Sequence, residues 1–326
     1  MTINFKNVYI NNTSTVAGPY VIDGPFNYDL KFNDFYDGED TFEKCEIKEL
    51  ERCIKLLLKK SNKKEEDIDV LLSSDLMNQL TISNFTLSKF NIPFLGLYNA
   101  CASFCEELLV ASTLIDSNKF QNIIVSTSSH NLTAERQFRN PVEYGAPKKL
   151  YQTFTVTGAT SSLISNKKSK IKITSATIGN VIDKGSTDVL NMGEVMAPSA
   201  AFTLNQHLKD INQSADYYDL IMTGDLGIYG KEIFKEYAKE VYDIKLDNYN
   251  DSAVIIYDLK DEEVKAGGSG ISCLPLVTYS HIIPNMLEGK LKRVLLIATG
   301  ALMSPTTTYQ KMSIPSISHA ISLEVV

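Results

Sequence analysis

The chain has 326 residues, 44% of them hydrophobic, enough to fill a sizeable core in one large α/β unit or in two ordinary domains. Its net charge of −7 and pI near 5.3 supply no basic field for a phosphate backbone, and Lys59-Lys60 and Lys63-Lys64 run straight into Glu65-Glu66-Asp67, so nucleic acid is not an expected partner. The opening "MTINFKNVYINN" lacks a basic then apolar leader pattern, and no apolar run approaches membrane-spanning length, so a soluble, unexported chain is expected.

The first predicted helix is "TFEKCEIKELERCIKLLLKK", with Thr41 as its cap and a basic last turn. Cys45 and Cys53 share a face with Phe42, Leu50, Leu57 and Leu58, which places both in the core as small hydrophobes. Next comes "IDVLLSSDL", a buried strand ending in Asp75. The segment "FLGLYNA" then reads as a strand entering a turn, and "SFCEELLVASTLI" as an amphipathic helix, which puts Cys101 beside a helix start. Free N–H groups and the helix dipole there favour a thiolate, and such cysteines fall from a pKa of about 8.5 to roughly 3.5–7.5. The same donors also suit a bound carboxylate without any covalent step. Both readings stay open on spacing alone.

Further on, "FQNIIVSTSS" is a buried strand that delivers His130, and the following "NLTAERQFRNPVEYG" carries Arg136 and Arg139 three apart, on one side of a helix. A fork of arginines suits a carboxylate ligand, although exposed surface arginines fit the same pattern. His130 reads as a ligand contact at a strand end or as a turn cap. The helix "PSAAFTLNQHLKDI", with Pro198 in its first turn, leads to "YDLIMTGDL", and a later helix leads to "LKRVLLIATG". These two strands answer "IDVLLSSDL" and "FQNIIVSTSS", so the chain divides into two duplicated α/β halves, 1–190 and 191–326, with largely parallel sheets.

The five cysteines include no C-x-x-C pair, which argues against disulfides or a zinc site and for a reducing compartment. His207, His281 and His319 read as structural residues. The acidic stretches "NDFYDGED" and "DNYND" lack calcium-loop spacing, and "GGSG" is too short for a dinucleotide fingerprint. No cofactor or metal is expected.

The order "YNACAS", "IIVSTSSH", "FTVTGATSSLI", "YDLIMTGDLGIYG", "AGGSGISCLPLV", "SISHAISLE" resembles the thiolase superfamily across nearly the whole chain. Within it, "STSSHNLTAERQFRNPVEYG", "ATIGNVIDKGSTDVLNMGEVMAPSAA" and "AGGSG" are similar to the stage V sporulation protein AD family of spore formers. The superfamily implies a five-layered α-β-α-β-α fold, a homodimer with "FQNIIVSTSS" near its two-fold axis, and an acyl-carrying cysteine where Cys101 stands. The sequence departs from the enzymes in the partners of that cysteine. Thr223, Gly224 and Asp225 occupy the place of a synthase histidine, and "AGGSGISCLP" lacks the thiolase Gly-His-Pro. The resemblance therefore implies a non-catalytic protein that binds dipicolinic acid, free or as its calcium chelate. It also implies work with the membrane subunits of the SpoVA channel, at the forespore or spore inner membrane. The expected ligand-binding residues are Asn99, Cys101, Ser128, Ser129, His130, Arg136 and Arg139. The alternative is an acyl transferase or condensing enzyme with Cys101 as nucleophile.

Overall fold

The computed structural model describes residues 1–139 and 144–326. Its main strands are β1 (Tyr9–Ala17), β2 (Val70–Ser74), β3 (Phe94–Gly96), β4 (Asn122–Ser129) and β5 (Gly158–Ser165), followed by β6 (Ile171–Thr177), β7 (Leu220–Thr223), β8 (Tyr249–Asp251), β9 (Arg293–Ala301) and β10 (Ser316–Val325). Hydrogen bonding orders them β3-β2-β4-β5-β1, then β6-β10-β9-β7-β8. Taken outward from the centre, the second run repeats the first strand for strand. The matched pairs seen in the sequence are β2 with β7 and β4 with β9. The two runs meet where Tyr9 and Ile10 pair with Lys172 and Ile171.

Two expectations change. The sheets are mixed: β2 is parallel to β3 and β4, but β5 is antiparallel to both β4 and β1, and β10 is antiparallel to β9 and β6. An apolar run looks alike whichever way its neighbours point, so periodicity does not reveal direction. The strand order also makes β6 the first strand of the second repeat. The link at 166–170 therefore lies between the two repeated runs, ahead of the expected boundary at 190/191.

Helix α1 (Phe42–Ser61) starts as expected, with the Thr41 hydroxyl accepting from Lys44 N at 3.3 Å, and it ends on Asn62 in the left-handed conformation. Its buried face carries Cys45, Leu50, Cys53, Ile54 and Leu57. With α2 (Thr81–Leu87) it covers the first half, while α5 (Met192–Ile211) and α6 (Gly227–Tyr242) cover the second. Pro198 lies inside α5 and not in its first turn, because the helix begins at Met192. The central layer holds α3 (Ser103–Asp116), which packs on β2, β4 and β5 of its own half and on β9 and β10 of the other. Beside it run α8 (Cys273–Val277), a π-turn and α9 (Ile283–Leu287), after the short α7 (Ala253–Ile256). These layers make the five-layered thiolase-like fold. Buried apolar side chains from both halves form one continuous core around α3.

Strand β4 is flanked on both sides by β2 and β5, so its backbone is fully paired. The free edge of this half is β3, with Leu95 exposed. Among the described residues no helix is long and apolar enough to cross a membrane.

Candidate functional site

The site forms where the first half's turn meets the second half's strand ends. Leu97–Ala102 carries the chain from β3 into α3, and Ala100 sits at φ 50°, a left-handed conformation that costs a non-glycine residue about 1 kcal/mol. The turn is held by Asn99 N donating to Ser103 Oγ at 2.7 Å. It also presses on β9, where a Cβ on Gly300 would lie 2.7 Å from Asn99 O and 3.1 Å from Ala102 N. Only glycine lets the second half approach the Cys101 turn this closely.

Asp225, just past the end of β7, is the partner of Cys101. The carboxylate acts on the Cys101 thiol, Thr299 Oγ1 donates to Oδ1 at 2.5 Å and Gly270 N donates to Oδ2 at 3.3 Å. Burial, opposed by the Thr299 and Cys101 bonds and reinforced by Asp251, pushes the Asp225 carboxyl up to about 7. Burial and then the Asp225 carboxylate push the Cys101 thiol well above its usual value. Both act against the thiolate that a helix start favours. A helix start contributes about 0.3–1 kcal/mol, up to ~2 when partly buried, and desolvation together with an adjacent carboxylate outweighs it. Both effects favour the protonated thiol at Cys101. Asp225→Asn should speed alkylation of Cys101 by iodoacetamide at pH 8 about tenfold for each pKa unit recovered. An unchanged rate in a stopped mass-spectrometric time course would leave burial as the sole cause.

Cys101 opens into a cavity of about 270 Å³. Most of the wall is apolar, including Leu76, Phe138, Met192 and Met196, with Ser269, Gly270, Ser304 and Thr307 as polar points. Arg139 is the charged residue in the wall. Its side chain is 3% exposed, with Nη1 donating to Glu135 Oε2 at 3.0 Å and to Thr153 O at 3.5 Å. Among the described residues its buried Nε has no partner. Arg136 does not share this setting. It is 46% exposed, pairs with Glu43 and lies over the Phe42 ring. Helix α4 (Asn131–Phe138) ends just before Arg139, whose φ of −127° and ψ of −83° turn it out of the helix and away from Arg136.

The other expected site residues lie outside the cavity wall. Ser128 Oγ donates to Glu46 Oε1 at 3.0 Å, and Ser129 Oγ donates to Val156 O at 2.7 Å. His130 caps α4 by accepting at Nδ1 from Leu132 N at 3.2 Å and turns Nε2 to Phe35 O at 2.9 Å. Burial lowers its pKa to about 4, so it is neutral. Asn99 meets His319 of β10, with Nδ2 and Nε2 3.1 Å apart, and His319 Nδ1 accepts from Gly179 N at 3.2 Å. His319 is also neutral, its pKa lowered by burial to about 4. His207 is buried between Thr177 and Tyr218, and His281 stands beside Asn285. Among the described residues no histidine lines the cavity.

A family model for stage V sporulation protein AD (SpoVAD) matches residues 1–324. The chain belongs to this family. It is 44% identical over 319 residues to the stage V sporulation protein AD of Bacillus subtilis (strain 168), covering 97% of this chain and 94% of that relative. Solved structures extend the fold but not the function. The 3-oxoacyl-[acyl-carrier-protein] synthase III of Aquifex aeolicus VF5 superposes with a TM-score of 0.59 at 12% identity, over 97% of this chain and 99% of the synthase. An OleA variant of Xanthomonas campestris with cerulenin bound superposes with a TM-score of 0.62 at 12% identity, over 98% and 97% of the two chains. In the SpoVAD-family chain the fold of those enzymes surrounds a cysteine paired with a carboxylate.

Proposed function

We propose that this sporulation protein binds dipicolinate, pyridine-2,6-dicarboxylate, free or as its calcium chelate, in the Cys101 cavity without turning it over. It then supports uptake of that ligand into the developing spore together with membrane subunits of the SpoVA channel. The observation that carries the reading is Arg139, a buried guanidinium in an apolar wall with an unpartnered Nε. A flat aromatic acid satisfies both features, since its ring fits the apolar wall and one carboxylate takes the free donors. The absence of turnover is supported by the chemistry at Cys101. Condensation needs a thiolate and neutral or cationic groups that hold the thioester oxyanion. Here burial and then the Asp225 carboxylate favour the protonated thiol.

Calorimetry with dipicolinate, with and without calcium, should give one saturable site per chain. Parallel incubation with acyl-coenzyme A thioesters should leave the intact mass unchanged. A flat titration, or an acyl adduct at Cys101, would return the chain to the condensing enzymes.

The same reading includes a homodimer formed through the β3 edge, where Phe85, Leu95 and Tyr98 are exposed. Light scattering at tens of micromolar, roughly an order of magnitude or more above common dimer dissociation constants, should give twice the chain mass. A monomer, or a dimer untouched by Leu95→Lys, would remove β3 from the interface.

A further inference from the structure

A second group of buried polar atoms lies on the buried face of α1, outside the cavity wall, and the dipicolinate reading makes no use of it. Cys45 and Glu49 stand one turn apart on the buried face of α1, and His130 reaches them from the end of β4. One ligand atom from each lies within 4.8 Å of the other two, and all three residues are buried. Cys45 Sγ is 3.2 Å from Glu49 Oε1, while Glu49 Oε2 is buried without a partner. The Phe35 carbonyl oxygen adds a fourth donor, 2.9 Å from His130 Nε2. Bonds of about 2.0–2.3 Å round a tetrahedral ion set neighbouring donors roughly 3.3–3.8 Å apart, so Cys45 Sγ and Glu49 Oε1 already stand near that spacing.

The electrostatics point the same way. Among the described residues no lysine or arginine pairs with Glu49 or Glu46; Lys48 pairs with Asp37 and Glu39, and Arg52 with Asp37. A divalent ion would supply the positive charge that this pocket of acids lacks.

We propose that Cys45, Glu49 and His130 form a buried site for one zinc-class divalent ion, with the Phe35 carbonyl completing four ligands. Thiolate, imidazole and carboxylate are the donor types that suit zinc. Binding releases the Cys45 thiol proton, and the proton carried by Glu49, to solvent. The thiolate and carboxylate then balance the ion's two charges, so the filled site is neutral. His130 now carries its proton on Nε2, because Nδ1 accepts from Leu132 N. Coordination through Nε2 moves that proton to Nδ1 by exchange with water and gives up the Leu132 cap. The ion enters through the cleft lined by Phe35, Tyr36, Phe42 and Leu132, where the Phe35 and Phe42 rings lie against His130.

The test uses the full chain, stripped of metal and free of dipicolinate, so it stands or falls separately from the ligand reading. Titration with Co²⁺ should fill one site per chain and give a near-ultraviolet thiolate-to-cobalt charge-transfer band, which Zn²⁺ then abolishes by displacement. Cys45→Ser should lose the band, and Cys45→Ser and Glu49→Gln should each weaken binding more than about 100-fold, since losing even an outer hydrogen-bond partner of a zinc ligand costs roughly 10–100-fold. Cys53→Ser, two turns along the same helix, should keep it. Failure of the wild type to hold either ion against a weak chelator, or a band that survives in Cys45→Ser, overturns the site. Should the variants not fold, X-ray absorption on the zinc-loaded wild type decides: one sulfur with nitrogen and oxygen neighbours supports it, and a sulfur-free shell overturns it.

Discussion

Arg139→Ala should weaken dipicolinate binding about thirtyfold or more, whereas Arg136→Ala should leave it unchanged. The loss corresponds to about 2–5 kcal/mol, the usual cost of removing one member of a buried, hydrogen-bonded charge pair. The two arginines are three residues apart, yet one is 3% and the other 46% exposed. A solvated charge is screened and contributes ~1 kcal/mol or less. A guanidinium in an apolar wall is not screened, and its unpartnered Nε gains a partner only when ligand is bound. Arg139→Lys keeps the charge but loses the fork, and should fall between the wild type and the alanine variant. Cys101→Ala should cost less, about 0.5–1.5 kcal/mol, the net worth of one neutral hydrogen bond. Calorimetry on the four variants checks the ranking, with thermal melts to confirm that Glu135, left without its partner, has not unfolded α4. Equal losses for Arg136→Ala and Arg139→Ala would mean a surface field and not a pocket contact.

The duplicated architecture was legible because buried strands leave apolar runs that survive duplication. "IDVLLSSDL" and "YDLIMTGDL" are β2 and β7 with the same aspartate after each. The role of that aspartate was not legible. Asp75 closes onto its own half, accepting from Ser83 N and Oγ at 2.8 Å each, while Asp225 crosses to Cys101 of the other half. Nothing local distinguishes them, since the difference arises only when the halves pack. Cys101 was found through its strand-to-helix turn, which is a local feature. Its protonation depends on Asp225 and could not be. The arginine spacing holds only while the helix continues, and α4 stops one residue before Arg139. His319 reads as strand packing, and only the sheet register brings it to Asn99.

Raising the pH from 5 to 8 should destabilise the wild type by about 3 kcal/mol more than Glu46→Gln. Glu46 is 1% exposed on α1, with Ser128 Oγ donating to Oε1 at 3.0 Å and Thr133 Oγ1 donating to Oε2 at 2.9 Å. Burial and then Asp75 push its pKa up to about 8, against the lowering effect of the two hydroxyls. The unfolded chain releases the same proton near pH 4.3. A folded pKa above the unfolded one means that the native state binds the proton more tightly. The group's stabilising contribution is therefore complete below about pH 4 and is lost progressively as pH rises towards 8. Over that window each pH unit costs up to about 1.4 kcal/mol, and the buried setting leaves little screening to reduce it. The amide that replaces the carboxyl in the variant is neutral throughout and loses nothing by this route. Glu107, raised by burial, adds the same slope to both proteins and cancels in the difference; Glu49 is raised by burial and then by Glu46, so its slope is smaller in the variant and enlarges the difference. Urea unfolding at pH 5, 6.5 and 8 reads the effect directly. A difference between the two proteins that does not grow with pH would place the Glu46 proton with a cation or water that holds it ionised in the folded state.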